Sequence, residues 1–166
     1  AWGASTASTA LSADRFAPPR PAARTPGAAG EKNGGTAAPG QTRYLVCIED
    51  NALNAELFRD ALAGNGELAL SVCARADTGL ATVRALKPSL IVLDLNLPDR
   101  HGLQVLAELK ADPATAAIPV VVVSADATHA TRQAALAAGA ADFLEKPVDL
   151  KRFAARVARL LSEPAG

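Results

Sequence analysis

The chain has 166 residues, which is enough for one ordinary domain and a tail. Its 17 basic and 17 acidic residues leave no formal net charge, which argues against a general attraction to nucleic acid or to an anionic membrane. No apolar run approaches the roughly 18 residues that a membrane-spanning helix needs, and the N-terminus lacks a secretory signal. Cys47 and Cys73 lie in apolar segments, so we expect two buried thiols in a reducing compartment, the cytoplasm.

Residues 1–42 are dominated by Ala, Gly, Pro, Ser and Thr. A segment of this composition buries too little apolar surface to offset the entropy of ordering it, so we predict a disordered linker or tail. The folded domain is predicted to span residues 43–163. The sequence contains no methionine and therefore no initiator residue, which suggests a piece of a longer protein with residues 1–42 as a tether.

Five short apolar segments alternate with five helical patterns along the predicted domain. The segment 90–94 is apolar up to its last residue, Asp94, and turn residues follow, which is typical of a strand that is buried on both faces. Strands that alternate with helices through short connections indicate a parallel sheet with helices on both faces. The strands are predicted at residues 44–48, 68–73, 90–94, 119–123 and 142–145.

The helices are predicted from apolar residues at helical spacing and from residues that begin or end a helix. In the first helix, Leu53, Leu57 and Leu62 recur at this spacing and form the expected apolar face. Asp77 or Thr78 is expected to cap the second helix, because short polar side chains accept hydrogen bonds from the first backbone N–H groups. The remaining helices are predicted to cover residues 103–111 and 128–138 and a segment that begins after Asp149.

The commonest arrangement of five such strands is a doubly wound, flavodoxin-like α/β sheet of order 2-1-3-4-5, with its ligand site between strands 1 and 3. Glu49 and Asp50 follow strand 1, and Asp94 ends strand 3, so three carboxylates should meet at this site. Carboxylates that lie close together repel one another, and a divalent cation relieves the repulsion. Because hard oxygen ligands suit Mg²⁺, we expect a magnesium site.

Two more polar residues end strands at the same edge of the sheet, Ser124 after strand 4 and Lys146 after strand 5. Considered alone, Ser124 is better explained as a helix cap and Lys146 as a surface lysine. Their shared position beside the carboxylates favours a site that holds the oxygens of a phosphoryl group. Asp94 is then the natural nucleophile, because carboxylates can form aspartyl phosphates.

The predicted domain resembles a receiver domain of the two-component response-regulator family. The resemblance rests on the acidic pair Glu49-Asp50, on the segment LDLNLPDRHG around Asp94, on VVSAD around Ser124 and on FLEKP around Lys146. Ser124 follows Asp94 by 30 residues and Lys146 follows it by 52, which are spacings close to those of the family. The resemblance covers nearly all of the predicted domain.

The resemblance implies a phosphorylation-dependent signalling module rather than an enzyme in the usual sense. Asp94 would accept a phosphoryl group from a phosphohistidine of a histidine kinase or a histidine phosphotransfer domain. Asp50 and Asp94 would bind Mg²⁺ directly, Glu49 would bind it through water, and the backbone carbonyl of Asn96 would be a further ligand.

Three more residues receive roles from the resemblance. Ser124 would bond the phosphoryl group, and Lys146 would pair with it and precede a cis peptide bond to Pro147. Phe143 would be an aromatic switch that turns inward and changes the surface of helix 4, strand 5 and helix 5. We expect no direct DNA binding by this chain and no membrane association, and a phosphorylation-dependent dimer stays open.

Other interpretations have weaker support. Phosphatases of the haloacid-dehalogenase type also place an aspartyl nucleophile after a strand, but they need a second acid two residues later, where this chain has Asn96. A nucleotide-binding interpretation lacks a glycine-rich phosphate loop after strand 1. His101 and His129 are expected to lie in a loop or at a helix start rather than to bind metal. Two contexts stay open, a stand-alone receiver and the C-terminal receiver of a hybrid sensor kinase, and the long N-terminal segment favours the second.

Overall fold

The computed structural model describes residues 42–65 and 67–163. The predicted linker falls almost entirely on residues 1–41, which lie outside the described residues, so its disorder stays a prediction. Within the described ranges, no helix is both long enough and apolar enough to cross a bilayer. The elements, in chain order, are β1 (Arg43–Ile48), α1 (Ala52–Leu62), β2 (Leu68–Cys73), α2 (Ala76–Leu86), β3 (Leu90–Asp94), α3 (Gly102–Ala111), β4 (Val120–Ser124), α4 (His129–Ala137), β5 (Asp142–Glu145) and α5 (Leu150–Ser162).

The strands form a parallel sheet of order β2-β1-β3-β4-β5, which confirms the predicted doubly wound, flavodoxin-like fold. The register places Ile48 opposite Leu93 and Asp94 opposite Val123. The carboxyl ends of β1, β3 and β4 therefore lie at the same level, and the residues that follow them share one edge of the sheet. Crevices at this edge are where open α/β sheets bind ligands.

Each face of the sheet is covered by helices. Every residue of β3 is buried, as expected for a central parallel strand, which explains its unbroken apolar sequence. On one face, strand residues such as Val46 pack with residues of α2 and α3. On the other face, Leu45 and Val92 belong to a cluster with Phe58 of α1 and Phe153 of α5, whose ring centroids are 4.7 Å apart. This aromatic pair joins the first and last helices on this face of the sheet.

Both predicted cysteines are buried free thiols in the core. Burial raises the pKa of Cys47 to about 12, and the nearby carboxylate of Glu49 adds to the shift. A thiol with so high a pKa stays protonated and unreactive at neutral pH. Cys47 therefore acts as a small apolar residue beneath the acidic edge of the sheet.

The predicted apolar face of α1 is wrong at two positions. The side chains of Leu53 and Leu57 are exposed, with 68% and 38% of their surface accessible, whereas Ala55, Phe58 and Leu62 are buried. The exposed leucines and the buried residues each recur at helical spacing, so spacing alone does not show which of the two sets faces the core. The rotation of α1 follows from the packing of the large Phe58 ring against α5.

The predicted cap of α2 is also wrong. The helix begins at Ala76, before Thr78, and Arg75 at the N-cap position makes no capping bond with its side chain. Instead, the carboxylate of Asp99, which lies in the loop after β3, accepts hydrogen bonds from the backbone N–H groups of Ala76 at 2.9 Å and Asp77 at 3.0 Å. A carboxylate that is distant in sequence thus takes the role expected of a local side chain.

Candidate functional site

Three acids meet at the carboxyl ends of the two central strands. Glu49 and Asp50 follow β1 and Asp94 ends β3, and one carboxylate oxygen from each lies within 4.8 Å of the other two. Glu49 and Asp94 are buried, whereas Asp50 is exposed at the rim. The structure therefore brings together the three acids that the strand pattern placed at this edge.

Lys146 lies between the two buried acids. Its Nζ is 2.8 Å from Oε2 of Glu49 and 2.9 Å from Oδ2 of Asp94. Burial by itself would lower the pKa of Lys146, but the bonds to the two carboxylates outweigh burial and the pKa is raised. Burial raises the pKa of Glu49, against the opposing effects of Lys146 and of the Asn51 backbone N–H. The peptide bond from Lys146 to Pro147 is cis, as expected.

Backbone N–H groups orient the other oxygens of the buried acids. The N–H of Asn51 donates to Oε1 of Glu49 at 3.0 Å, and the N–H of Asn96 donates to Oδ1 of Asp94 at 3.0 Å. The side chain of Asn51 also caps α1, so this helix begins directly after the two acids that follow β1. Each buried carboxylate is therefore held by its own loop on one side and by Lys146 on the other.

Ser124 lies at the end of β4, one residue beyond the strand partner of Asp94, and is fully buried. Its backbone carbonyl accepts a hydrogen bond from the N–H of Lys146 at 2.9 Å, and its Oγ accepts one from the N–H of Asp126 at 3.1 Å. The N-cap of α4 is Thr128, whose hydroxyl accepts from the N–H of Thr131. Ser124 is therefore not the cap of α4, and its hydroxyl bonds to the loop that follows it.

Phe143 is buried in β5, three residues before Lys146, and belongs to the core cluster between the sheet and α2, α3 and α4. The guanidinium of Arg132, on α4, lies 4.8 Å from the centre of the Phe143 ring. A cation at this distance from an aromatic face is attracted to it. The predicted switch residue thus lies inward, in contact with a residue of the helix that it is expected to move.

The loop after β3 brings Asn96 to the rim of the site, where it pairs with His101 in a short antiparallel bridge. Gly102 closes the loop with no space for a side chain, because a Cβ there would lie 2.4 Å from the carbonyl oxygen of Asp94 and 2.6 Å from the Cα of Leu95. Only glycine lets α3 start so close to the backbone of the acceptor strand. This explains the glycine in the predicted acceptor segment.

The two histidines take structural positions, as expected. His101 is the N-cap of α3 and accepts a hydrogen bond on Nδ1 from the N–H of Leu103 at 3.2 Å, while His129 is the first residue of α4. Over residues 42–65 and 67–163, the only group of His, Cys, Asp or Glu side chains with metal-ligand spacing is the set of three acids. Neither histidine joins it.

The donor set fits a small, hard cation. It consists of three carboxylates and the nearby backbone of Asn96, all of which offer oxygen, the ligand atom that Mg²⁺ prefers. The Oε2 of Glu49 is buried without a hydrogen bond of good geometry, although Lys146 is close to it. The cluster sets three carboxylates against the single ammonium of Lys146, so it can accept further positive charge.

Two residues next to the site were not predicted from the sequence. Arg132 contacts Phe143, and Asp99 joins the loop after β3 to α2. Pro98 and Asp99 indicate a turn after β3, but this pattern does not predict that the Asp99 carboxylate is buried against α2. No sequence signal connects Arg132 with the ring that it covers, because the two lie on different elements.

The comparisons with known proteins agree with this geometry. A family model described as the response regulator receiver domain matches residues 45–158. The polar-differentiation response regulator DivK of Brucella ovis is 33% identical over 115 residues, which are 68% of this chain and 90% of DivK. The KDP operon transcriptional regulatory protein KdpE of Escherichia coli is 34% identical over 113 residues, and the chain spans only 48% of its length.

Solved structures resemble the chain in fold and, more weakly, in sequence. The crystal structure of the Mn(2+)-bound form of the response regulator Rcp1 has a TM-score of 0.62 and 26% sequence identity, and covers 72% of this chain and 92% of Rcp1. The family match covers more than half of the chain and includes all of the residues of the acidic site. The chain belongs to the family of response regulator receiver domains of two-component signalling.

Proposed function

We propose that Asp94 accepts a phosphoryl group from a phosphohistidine of a histidine kinase or a histidine phosphotransfer domain, and that the chain signals through this modification. One observation carries the proposal, the position of the Lys146 ammonium between the buried carboxylates of Glu49 and Asp94, at 2.8 Å and 2.9 Å. Such an arrangement holds a carboxylate nucleophile next to a fixed positive charge, which is what phosphoryl transfer requires.

The metal belongs to the same proposal. When bound, Mg²⁺ would offset the charge of the carboxylates and of the transferring phosphoryl oxygens. Asp50 and Asp94 would hold it directly, Glu49 through water, and Asn96 through its backbone carbonyl. The existence of a Mn²⁺-bound form of Rcp1, a response regulator of similar fold and 26% sequence identity, supports the binding of a divalent cation by this chain.

In the proposed reaction, a carboxylate oxygen of Asp94 attacks phosphorus in line with the phosphorus–nitrogen bond of the donor. That bond breaks, and its electron pair returns to the imidazole nitrogen of the donor. Lys146 keeps its proton and pairs with a phosphoryl oxygen, and the Ser124 hydroxyl donates to another. The Asn96 N–H, at 3.0 Å from Oδ1 of Asp94, keeps the carboxylate in the orientation for attack.

The product changes the charge balance of the site. If the phosphoryl group carries about −1.5 to −2 charges, as on phosphoserine, it replaces the single negative charge of the carboxylate, so the site gains up to about one further negative charge. The Ser124 hydroxyl, which now accepts from the Asp126 N–H, would turn to the phosphoryl group and draw the β4–α4 loop with it. Phe143 and Arg132 would transmit this movement to the surface of α4, β5 and α5. Phosphorylation would thereby shift the conformational equilibrium of this surface. A phosphorylation-dependent dimer would use the same surface.

The phosphohistidine partner has a natural contact surface beside the site. Leu53 and Leu57 are exposed on consecutive turns of α1, whose N-terminus lies at the acids. An exposed apolar stripe next to the acceptor suits a helix of the phosphohistidine protein, because burial of the two leucines would help to align donor and acceptor. The proposed partner of this stripe is therefore the phosphodonor.

The proposed reaction is the same in a stand-alone receiver and in the receiver of a hybrid sensor kinase. Other domains or other chains would then detect the stimulus and produce the output. We also propose a cytoplasmic location, which the buried free thiols of Cys47 and Cys73 support.

Phosphate incorporation tests the proposal. The chain is incubated with acetyl phosphate and Mg²⁺, and the product is measured by intact mass and by a phosphate-affinity gel. We expect one phosphoryl group on the wild-type chain, none on Asp94→Asn and normal labelling of Asp112→Asn, a change at an acid remote from the site. Undiminished labelling of Asp94→Asn would refute the assignment, and rapid multiple-turnover hydrolysis of a phosphate ester would favour the phosphatase interpretation.

A further inference from the structure

The loop between β3 and α3, residues 95–101, is closed at its base and reaches outward at its tip. At the base, Asn96 pairs with His101, and the N–H of Gly102 donates to the carbonyl of Leu95 at 2.8 Å. This base also carries the N–H that bonds to the Asp94 carboxylate. The tip consists of residues 98–100 and has no strand or helix of its own to support it.

The tip is attached to α2 through the side chain of Asp99. Only 6% of this side chain is exposed, although it belongs to a loop. Its Oδ1 accepts from the N–H of Ala76 at 2.9 Å, and its Oδ2 accepts from the N–H of Asp77 at 3.0 Å. Both oxygens are thus bonded to the first turn of α2, where backbone N–H groups lack partners within the helix.

Charge supports the same attachment. Burial would raise the pKa of Asp99, but its bonds to the backbone N–H groups and the nearby Arg75 outweigh burial and hold the pKa below its usual value. Arg100 adds an ion pair to the Asp77 carboxylate at 3.6 Å and another to Glu108 of α3. The Asp77 side of the first pair is exposed, and such a pair contributes little to stability, so the two charge-assisted bonds of Asp99 are the main connection between the tip and α2.

We propose that Asp99 is a positioning residue for the metal and acceptor site, because it holds the β3–α3 loop against α2. The inference rests on the proposed function for the identity of the metal and deepens it. The loop backbone at Asn96 does two things in that function, since its N–H orients Asp94 and its carbonyl is a proposed metal ligand. A loop whose tip is fixed presents both groups in one geometry before the metal arrives.

Without the Asp99 carboxylate, the tip would be joined to α2 only by the exposed Arg100 pair. The seven-residue loop would then sample more conformations, and metal binding would have to restrict them. The effect should appear in the affinity for the cation more than in the reaction at saturating cation. Loss of a cap alone would lower stability and leave the metal affinity unchanged.

The test compares Asp99→Ala with Asp112→Ala as the matched control. Asp112 also accepts a hydrogen bond from a backbone N–H, that of Ala114, and pairs with an arginine, but it lies at the C-terminal end of α3, away from the acids. Mg²⁺ binding to the full chain, without phosphodonor, is measured by isothermal titration calorimetry. We expect about a fivefold weaker Mg²⁺ affinity for Asp99→Ala, somewhat less than is typical for partners that contact metal ligands directly, and no change for Asp112→Ala.

Two more measurements separate positioning from stability. Hydrogen exchange of residues 95–101 in metal-free protein should be faster in Asp99→Ala and unchanged in Asp112→Ala. Asp99→Asn, which keeps one acceptor oxygen, should recover part of the Mg²⁺ affinity. In phosphorylation from acetyl phosphate, the Mg²⁺ concentration for half-maximal rate should rise in Asp99→Ala, while the rate at saturating Mg²⁺ should stay within about twofold of the wild type.

The proposal would be overturned if Asp99→Ala kept the Mg²⁺ affinity and the loop exchange of the wild type. It would also be overturned if Asp112→Ala lost as much Mg²⁺ affinity as Asp99→Ala. These readouts do not depend on phosphate, so a failure of Asp94 to become phosphorylated would contradict the proposed function and leave the positioning result intact. A wild-type chain that binds no Mg²⁺ would overturn both the metal site and the role of Asp99.

Discussion

At the scale of single residues, Lys146 offsets the repulsion between the two buried carboxylates of the site. Two carboxylates that are buried side by side repel each other unless a cation lies between them, and the Nζ of Lys146 is within 3 Å of both. The contribution of such a group is best judged by its removal, because an uncompensated buried charge costs more than the intact pair contributes. Lys146 therefore matters for stability as well as for the proposed chemistry.

We predict that Lys146→Met lowers the free energy of unfolding by about 2 kcal/mol at pH 7 without Mg²⁺. This value lies below the usual range for a broken buried ion pair, because the Lys146 side chain keeps 17% of its surface exposed. Urea unfolding of the wild type and the variant in the presence of a chelator measures the difference. Lys151→Met, at an exposed lysine of α5, is the control and should change stability by less than about 0.5 kcal/mol.

The loss of stability caused by Lys146→Met should become smaller as pH falls. Burial already raises the pKa of Glu49, and loss of the lysine removes an effect that lowers it. The folded variant then binds more protons than the unfolded chain, so its stability relative to the wild type rises as pH falls. The urea midpoints of the two proteins should therefore be closer at pH 5 than at pH 7. A deficit that is equal at both pH values would show that repulsion between the carboxylates is not its cause.

At the scale of elements, the first two helices take part in the site through different ends and faces. The N-terminus of α1 lies next to the acids, and Leu53 and Leu57 are exposed on this helix. In the first turn of α2, backbone N–H groups donate to the Asp99 carboxylate. Both features concern surfaces that the helical pattern of the sequence did not predict. The exposed face of α1 is the one that a phosphohistidine partner would meet, because it borders the acceptor.

We predict that Leu53→Gln slows phosphoryl transfer from a phosphorylated histidine phosphotransfer domain about tenfold, which corresponds to the loss of one apolar contact at an interface. Labelling by acetyl phosphate should be unchanged, because a small donor makes no contact with α1. Leu86→Gln, at another exposed leucine but at the C-terminal end of α2, is the matched control. Equal transfer rates for both variants would exclude α1 as the contact surface.

At the scale of the whole molecule, the site depends on the sheet that carries it. The acids, Ser124 and Lys146 come from four neighbouring strands, β1, β3, β4 and β5, whose register fixes their relative heights. That register is held by apolar layers on both faces, and the contact between Phe58 and Phe153 closes one of them. Close packing makes such a core sensitive to the loss of a large side chain.

We predict that Phe153→Ala lowers the free energy of unfolding by about 3 to 5 kcal/mol, because the large fully buried ring would leave a cavity beside Phe58. Chemical denaturation at neutral pH measures this loss. Leu136→Ala, at an exposed leucine of α4, should change stability by less than about 0.5 kcal/mol. A loss below about 1 kcal/mol for Phe153→Ala would show that α5 contributes little to the core.

The sequence by itself determined the alternation of strands and helices, the strand order and the edge at which Glu49, Asp50 and Asp94 meet. These features follow from local patterns and from the few topologies that such patterns allow. Only the tertiary structure decided which face of α1 is buried, that Asp99 caps α2 and that Arg132 covers Phe143. Each of these depends on contacts between elements: the Asp99 carboxylate reaches backbone groups 22 and 23 residues away. The pattern of residues along the chain is enough to place the acids of the site. The side chains that hold those acids and their loops in position become neighbours only when the sheet and helices pack together.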